Sequence, residues 1–121
     1  MKIGRFEDIE AWQTARKLTN LVFEMTRRTG FNADIDLTRQ IRRAAISSMA
    51  NIAEGFDAGS DAEFQRFLRI AQRSATEVQS HLYVALDERY IESEEFNLVY
   101  AQAQQTRKVI GGFIRYLQTS S

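Results

Sequence analysis

The chain has 121 residues, 44% of them hydrophobic and 26% charged, with a formal net charge of zero and a pI of about 6.6. This is the size and balance of one globular domain, and it argues against both a disordered tail and a strongly basic domain that binds nucleic acid without specificity. The absence of cysteine excludes disulfides and thiolate metal sites, and no apolar run approaches the roughly 20 residues needed to cross a bilayer.

The N-terminus lacks the apolar stretch of a signal peptide, so the expected compartment is the cytoplasm. The first predicted helix spans about 8–28. Asp8 is the expected N-cap and Gly30 a left-handed stop. Ile9, Trp12, Ala15, Leu18, Val22 and Met25 recur at helical spacing along one stripe. The second predicted helix, 37–58, starts after Asp36 and ends at Gly59. Ser60 and Glu63 then form the S-x-x-E pattern of a capping box. The third, 61–89, carries Phe64, Phe67, Leu68, Ala71, Ala75, Val78, Leu82 and Leu86 on one side. Ser93 caps the fourth, 94–117, whose stripe is Phe96, Val99, Ala103, Ile110, Phe113 and Leu117. Gly111 and Gly112 fall inside it, at about 1 kcal/mol each relative to alanine, which points to close helix approach there. No β-alternation appears. The expectation is an all-α fold, a single antiparallel up-down-up-down four-helix bundle over 1–121.

The second helix is unusual. Residues 40–55 read QIRRAAISSMANIAEG, with only Arg42, Arg43 and Glu54 charged. Gln40, Arg43, Ser47, Asn51 and Glu54 share a narrow strip. Ile46, Ala50 and Ala53 flank it where a solvated helix would carry lysine or glutamate. These three are the candidate contacts to a second copy of the chain. Helix 61–89 carries Arg66, Arg69, Arg73 and Glu77 opposite its apolar side. Across a tight hairpin, Glu54 is expected level with Arg66, Asn51 with Arg69, Ser47 with Arg73, and Arg43 with Glu77. Three readings stay open: a ladder of charge-assisted bonds holding the hairpin, a positive excess able to meet phosphate, or a ladder formed between subunits.

The same segments carry a family resemblance. F-E-D-I-E-A-W-Q-x-A at 6–15, Q-I-R-R-A-A-x-S…N-I-A-E-G at 40–55 and E-F-x-R-F-L-x-I-A-x-x-S…E at 63–77 resemble the bacterial four-helix bundle family named for 23S ribosomal RNA intervening sequences. That family is similar to the accessory proteins of diversity-generating retroelements, which are pentameric bundles with a basic surface that act with a reverse transcriptase and RNA. The resemblance implies a pentamer and places Arg43, Ser47, Asn51, Glu54, Ser74 and Glu77 on recurrent polar positions. Met49 stands where the family often has proline, and Arg73 where it often has glycine. The near-neutral charge also departs from the basic retroelement proteins.

Little points to catalysis. His81 is the only histidine, and with Glu77 it supplies two ligands, too few for a closed metal site. There is no phosphate-binding glycine loop and no nucleophile elbow. The expectation is a protein without catalytic residues, cofactor or metal. Trp12, Phe23, Phe64, Phe67 and Phe113 at helical spacing read as core rather than as base-stacking platforms. Asp87, Glu88, Glu92, Glu94 and Glu95 read as a solvated acidic end. The expected partners are the chain itself and RNA or DNA, with no membrane association. The alternative is a scaffold that binds another protein and no nucleic acid.

Overall fold

The computed structural model describes residues 2–119, and among them every regular element is helical. A 3-10 turn, Phe6–Asp8, leads into α1, Glu10–Thr26. The short α2, Thr29–Asn32, connects to α3, Ile35–Phe56. Two long helices follow, α4 at Asp61–Asp87 and α5 at Ser93–Thr119. The four long helices form a bundle in which α3 packs on α1 and α4, and α5 packs on α4 and α1. α1 and α4 therefore occupy one diagonal, α3 and α5 the other.

The helix ends differ from expectation in informative ways. Asp8 lies in the 3-10 turn, so Ile9 occupies the N-cap of α1 without a side-chain bond. Gly30 is helical, inside α2, and does not serve as a left-handed stop; Gly59, at φ +88, is the glycine that turns the chain. Asp34 rather than Asp36 caps α3, its Oδ1 accepting from the Leu37 N–H at 3.0 Å. Ser60 caps α4 as the sequence predicts, accepting from the Glu63 N–H at 3.2 Å. The return half of that box is not made, since the Glu63 carboxylate turns to Arg66. Ser93 is the first residue of α5, whose first turn closes on the Glu92 carbonyl.

α4 ends on a backbone motif that normally calls for glycine. Tyr90 N–H bonds the Ala85 carbonyl and Arg89 N–H bonds that of Leu86, with Arg89 at φ 64. This is a Schellman arrangement with an arginine in the left-handed position.

The apolar stripes meet in two clusters. One holds Leu18, Val22, Met25, Phe31, Ile41, Val78, Leu82 and Val99. The other, at the far end, holds Ile9, Ile52, Phe64, Leu68, Ile110 and Leu117. Gly55 lets α3 and α4 close between them: a Cβ there would stand 2.8 Å from both Phe64 Cδ1 and Phe67 Cβ. Gly111 likewise admits Gln72 of α4, whereas a Cβ at Gly112 would meet only the Arg115 guanidinium, at 3.8 Å.

Buried hydroxyls are satisfied. Thr19 donates toward the Ala15 and Ala45 carbonyls, and Thr26 bonds the Val22 carbonyl while accepting from Arg42 Nε at 2.8 Å. The Arg42 guanidinium lies 4.5 Å over the Phe23 ring, so this arginine belongs to the α1–α3 seam.

Candidate nucleic-acid and subunit interface

The exposed side of the α3–α4 hairpin collects the residues that the sequence singles out. Its centre is a small hydroxyl cluster. Ser47 Oγ and Ser74 Oγ are 2.8 Å apart, and Asn51 Nδ2 donates to both the Ser47 hydroxyl and the Ser47 carbonyl at 2.9 Å. Ser74, on α4, is buried and also bonds the Ile70 carbonyl. Polar groups that a plain core would reject are thus paired with one another across the helix contact.

This pairing corrects the expected ladder. Ser47 faces Ser74, one residue beyond Arg73, and each residue advances about 100° around a helix. The shift turns Arg73 and Arg69 away from α3. Asn51 meets Ser47 instead of Arg69. Arg66 pairs with Glu63 one turn away at 3.2 Å and lies 4.8 Å over the Phe67 ring, so it does not reach Glu54. Glu77 meets His81 at 3.1 Å instead of Arg43. Among the described residues, Arg43, Arg69, Arg73 and Glu54 form no hydrogen bond or ion pair through their side chains. The charged ladder is absent; three unpaired guanidinium groups face outward in its place.

The candidate subunit contacts also lie on the surface. Ile46 is 46% exposed, and Ala50 and Ala53 are half-buried. The outward side of α3 carries exposed Ile35, Arg39, Arg43, Ile46 and Glu54, with half-buried Ala50 and Ala53 between the last two.

The acidic end differs from the fully solvated group expected there. Glu95 is 15% exposed at its side chain and ion-paired with Arg28. Burial nevertheless raises its pKa above the ordinary glutamate value, outweighing the guanidinium. At the same end Tyr90 donates its hydroxyl to Asp34 at 2.9 Å. The Leu37 N–H and this hydroxyl hold the Asp34 carboxyl below its ordinary pKa, and the Tyr90 hydroxyl is raised in turn. Neither Tyr90 nor Arg42 was marked by periodicity; an X–Tyr bond to a cap over 56 positions has no local signature.

Of the aromatics read as core, Phe64 is buried, whereas Trp12, Phe23, Phe67 and Phe113 are half-buried. Phe64 stacks edge-on with Phe56 and Phe113, and Trp12 with Phe6. Among the described residues no cluster of three or more His, Asp or Glu side chains is arranged to hold a metal ion. No described helix is long and apolar enough to cross a membrane.

The family model for the 23S rRNA-intervening sequence protein matches residues 7–112. The chain belongs to this family. A similar solved structure is that of a protein with unknown function from the S23 ribosomal protein family of Bacteroides thetaiotaomicron. It is 25% identical, with a TM-score of 0.72 over 86% of this chain and 94% of the other. No curated protein matches the chain significantly.

Proposed function

We propose that the chain is a non-catalytic, homo-oligomeric, cytoplasmic bundle whose α3–α4 face contacts the phosphates of RNA. The observation that carries this reading is the trio Arg43, Arg69 and Arg73, exposed on α3 and α4 without carboxylate partners among the described residues. An unpaired arginine beside an exposed helix keeps all of its donors for a planar oxyanion. Arg66, Arg69 and Arg73 span about 10 Å along α4, enough for more than one phosphate. Arg66 is already engaged by Glu63, so it contributes less. The family description, tied to 23S rRNA intervening sequences, favours RNA over DNA. Assembly is supported by the low charge of the exposed α3 line.

Such contacts are electrostatic and position the partner without reading its sequence. Binding of a structured RNA hairpin should therefore weaken with salt. Replacing Arg69 and Arg73 by alanine should lower the slope of log K against log salt by about 1.4–1.8, since each neutralised phosphate contributes about 0.7–0.9. A Lys2→Ala, Lys17→Ala control, changing two exposed cations elsewhere, should leave the slope nearly unchanged. Absence of RNA retention at low salt, or an unaltered slope in the arginine variant, refutes the phosphate role. Stoichiometric recovery of a protein partner without RNA would favour the scaffold reading instead.

A further inference from the structure

We propose that the groove between α4 and α5 binds a mononucleotide, with its phosphate at Arg107 and its base against the Tyr83 ring. This site uses other side chains than the α3–α4 face and does not depend on the RNA reading above.

The groove is polar where a helix seam is ordinarily apolar. Gln79 is only 5% exposed, yet its amide reaches across the seam. Its Nε2 donates to Gln104 Oε1 at 3.0 Å, and its Oε1 accepts from Arg107 Nη1 at 3.1 Å. Gln104 Oε1 accepts from the same Nη1, also at 3.1 Å. Gln72 Nε2 donates to the Arg107 carbonyl at 3.0 Å. The amide oxygens of Gln79 and Gln104 are thus spent on the guanidinium, and what they leave for a ligand is N–H donors.

Arg107 itself stays uncompensated. Among the described residues it has no ion pair, and its Nη2 makes no hydrogen bond. Its Nε is shut from solvent without an acceptor. α5 offers no remedy, because no acidic residue follows Glu95 in the sequence. A half-buried guanidinium answered only by neutral amides is an unfavourable arrangement that an anion relieves. Beside it opens a pocket of about 520 Å³ lined by Gln72, Ala101, Gln104, Gln105, Arg107 and Lys108, none of them acidic.

The donors that remain select the anion. Both hydrogens of Nη1 are taken by the two glutamines and Nε is enclosed, so Arg107 cannot present the two-pronged edge that suits a planar carboxylate. A tetrahedral phosphate accepts single bonds from several directions, and Nη2, the Lys108 ammonium and the Gln104 amide supply them.

One helical turn along the same groove the surface becomes aromatic. Tyr83 follows Gln79 by four residues and Tyr100 precedes Gln104 by four, about 6 Å along each axis. Tyr83 is 51% exposed, and contacts with the rings of Phe96 at 4.9 Å and Tyr100 at 6.0 Å hold it in place. An exposed ring already fixed by its neighbours can stack a base with little further ordering. A ribose bridges the interval between that ring and a phosphate at Arg107.

Isothermal titration at low salt with 5′-AMP, and separately with inorganic phosphate, tests both halves. 5′-AMP should bind saturably and at least about 5-fold more tightly than phosphate, the lower end of the gain from stacking one base. Tyr83→Ala should remove that margin and leave phosphate binding unchanged. Arg107→Gln should weaken both ligands by about 10-fold or more, as for the loss of a charged hydrogen-bond donor. Arg107 also braces the seam, so Lys108→Ala is the second variant. Lys108 is exposed and makes no side-chain bond among the described residues, and a fall in affinity at unchanged Tm reports the site alone. Arg69→Ala with Arg73→Ala should leave 5′-AMP binding as it is. No saturable binding at millimolar 5′-AMP, equal affinity for the two ligands, or indifference to either Arg107→Gln or Lys108→Ala would overturn the proposal. So would loss of 5′-AMP binding in the Arg69, Arg73 variant, which would place the phosphate on the α3–α4 face and leave the RNA reading standing.

Discussion

Replacing Gly55 by alanine tests how closely α3 and α4 approach. In an open helix this change stabilises by roughly 1 kcal/mol through propensity. Here the new Cβ would sit 2.8 Å from the Phe64 ring edge and 2.8 Å from Phe67 Cβ, with the Phe64 carbonyl at 3.3 Å. A ring can rotate, but a Cβ and a carbonyl move only with the α4 backbone. The strain therefore falls in the upper part of the 1–3 kcal/mol range for overpacking. Subtracting the propensity gain leaves a net loss of about 1–2 kcal/mol, a fall in Tm of roughly 4–8 °C for a chain of this size. Thermal and urea unfolding followed by circular dichroism would measure it. Gly30→Ala is the control: nothing lies within 4 Å of its added Cβ, and stability should stay level or rise by a few tenths of a kcal/mol. A Gly55→Ala protein as stable as the parent would refute the close approach.

Ser74→Ala should cost about 1–2 kcal/mol in urea unfolding, because it removes a buried hydroxyl and strips Ser47 of its cross-helix partner. Arg89→Gly should stabilise by about 0.5–1 kcal/mol, read the same way, since glycine accepts the left-handed position that arginine adopts at a cost. The Asp34 carboxyl has a folded pKa below its unfolded one, so its contribution is complete above the unfolded value near 4 and is lost as pH falls through the folded value. Asp34→Asn should accordingly flatten the acid limb of the stability–pH curve. Glu95 acts with the opposite sign, its raised pKa favouring the folded state as pH falls, so Glu95→Gln should steepen that limb.

The four long helices were legible because their apolar residues recur with the helical period over many turns, and Ser60 marked the start of α4. Ends were less so. Whether Asp34 or Asp36 caps α3, and whether Gly30 stops a helix as Gly59 does, depends on the path of the connection, which no residue type encodes alone. Ser47, Asn51 and Ser74 of the expected strip do meet, but the register across the hairpin is displaced by one position. That displacement decides whether an arginine meets a glutamate or faces outward, and it is fixed by Phe64 and Phe67 seating against Gly55 and by Ser47 meeting Ser74. These contacts lie outside any single helical stripe. The burial of Glu95 was hidden for a similar reason: its guanidinium partner, Arg28, comes from the start of α2, 67 positions away.

The connection between α3 and α4 is the short stretch 57–60, and it joins helices that share the most extensive contact in the molecule. Closing a loop that short carries little entropic penalty, and helix pairs of this kind gather within microseconds. The short connection and broad contact make the α3–α4 hairpin the pair expected to form early, ahead of its packing on α1 and α5. A newly made chain would therefore set the α3–α4 seam, with its Ser47–Ser74 contact, before the flanking helices are in place.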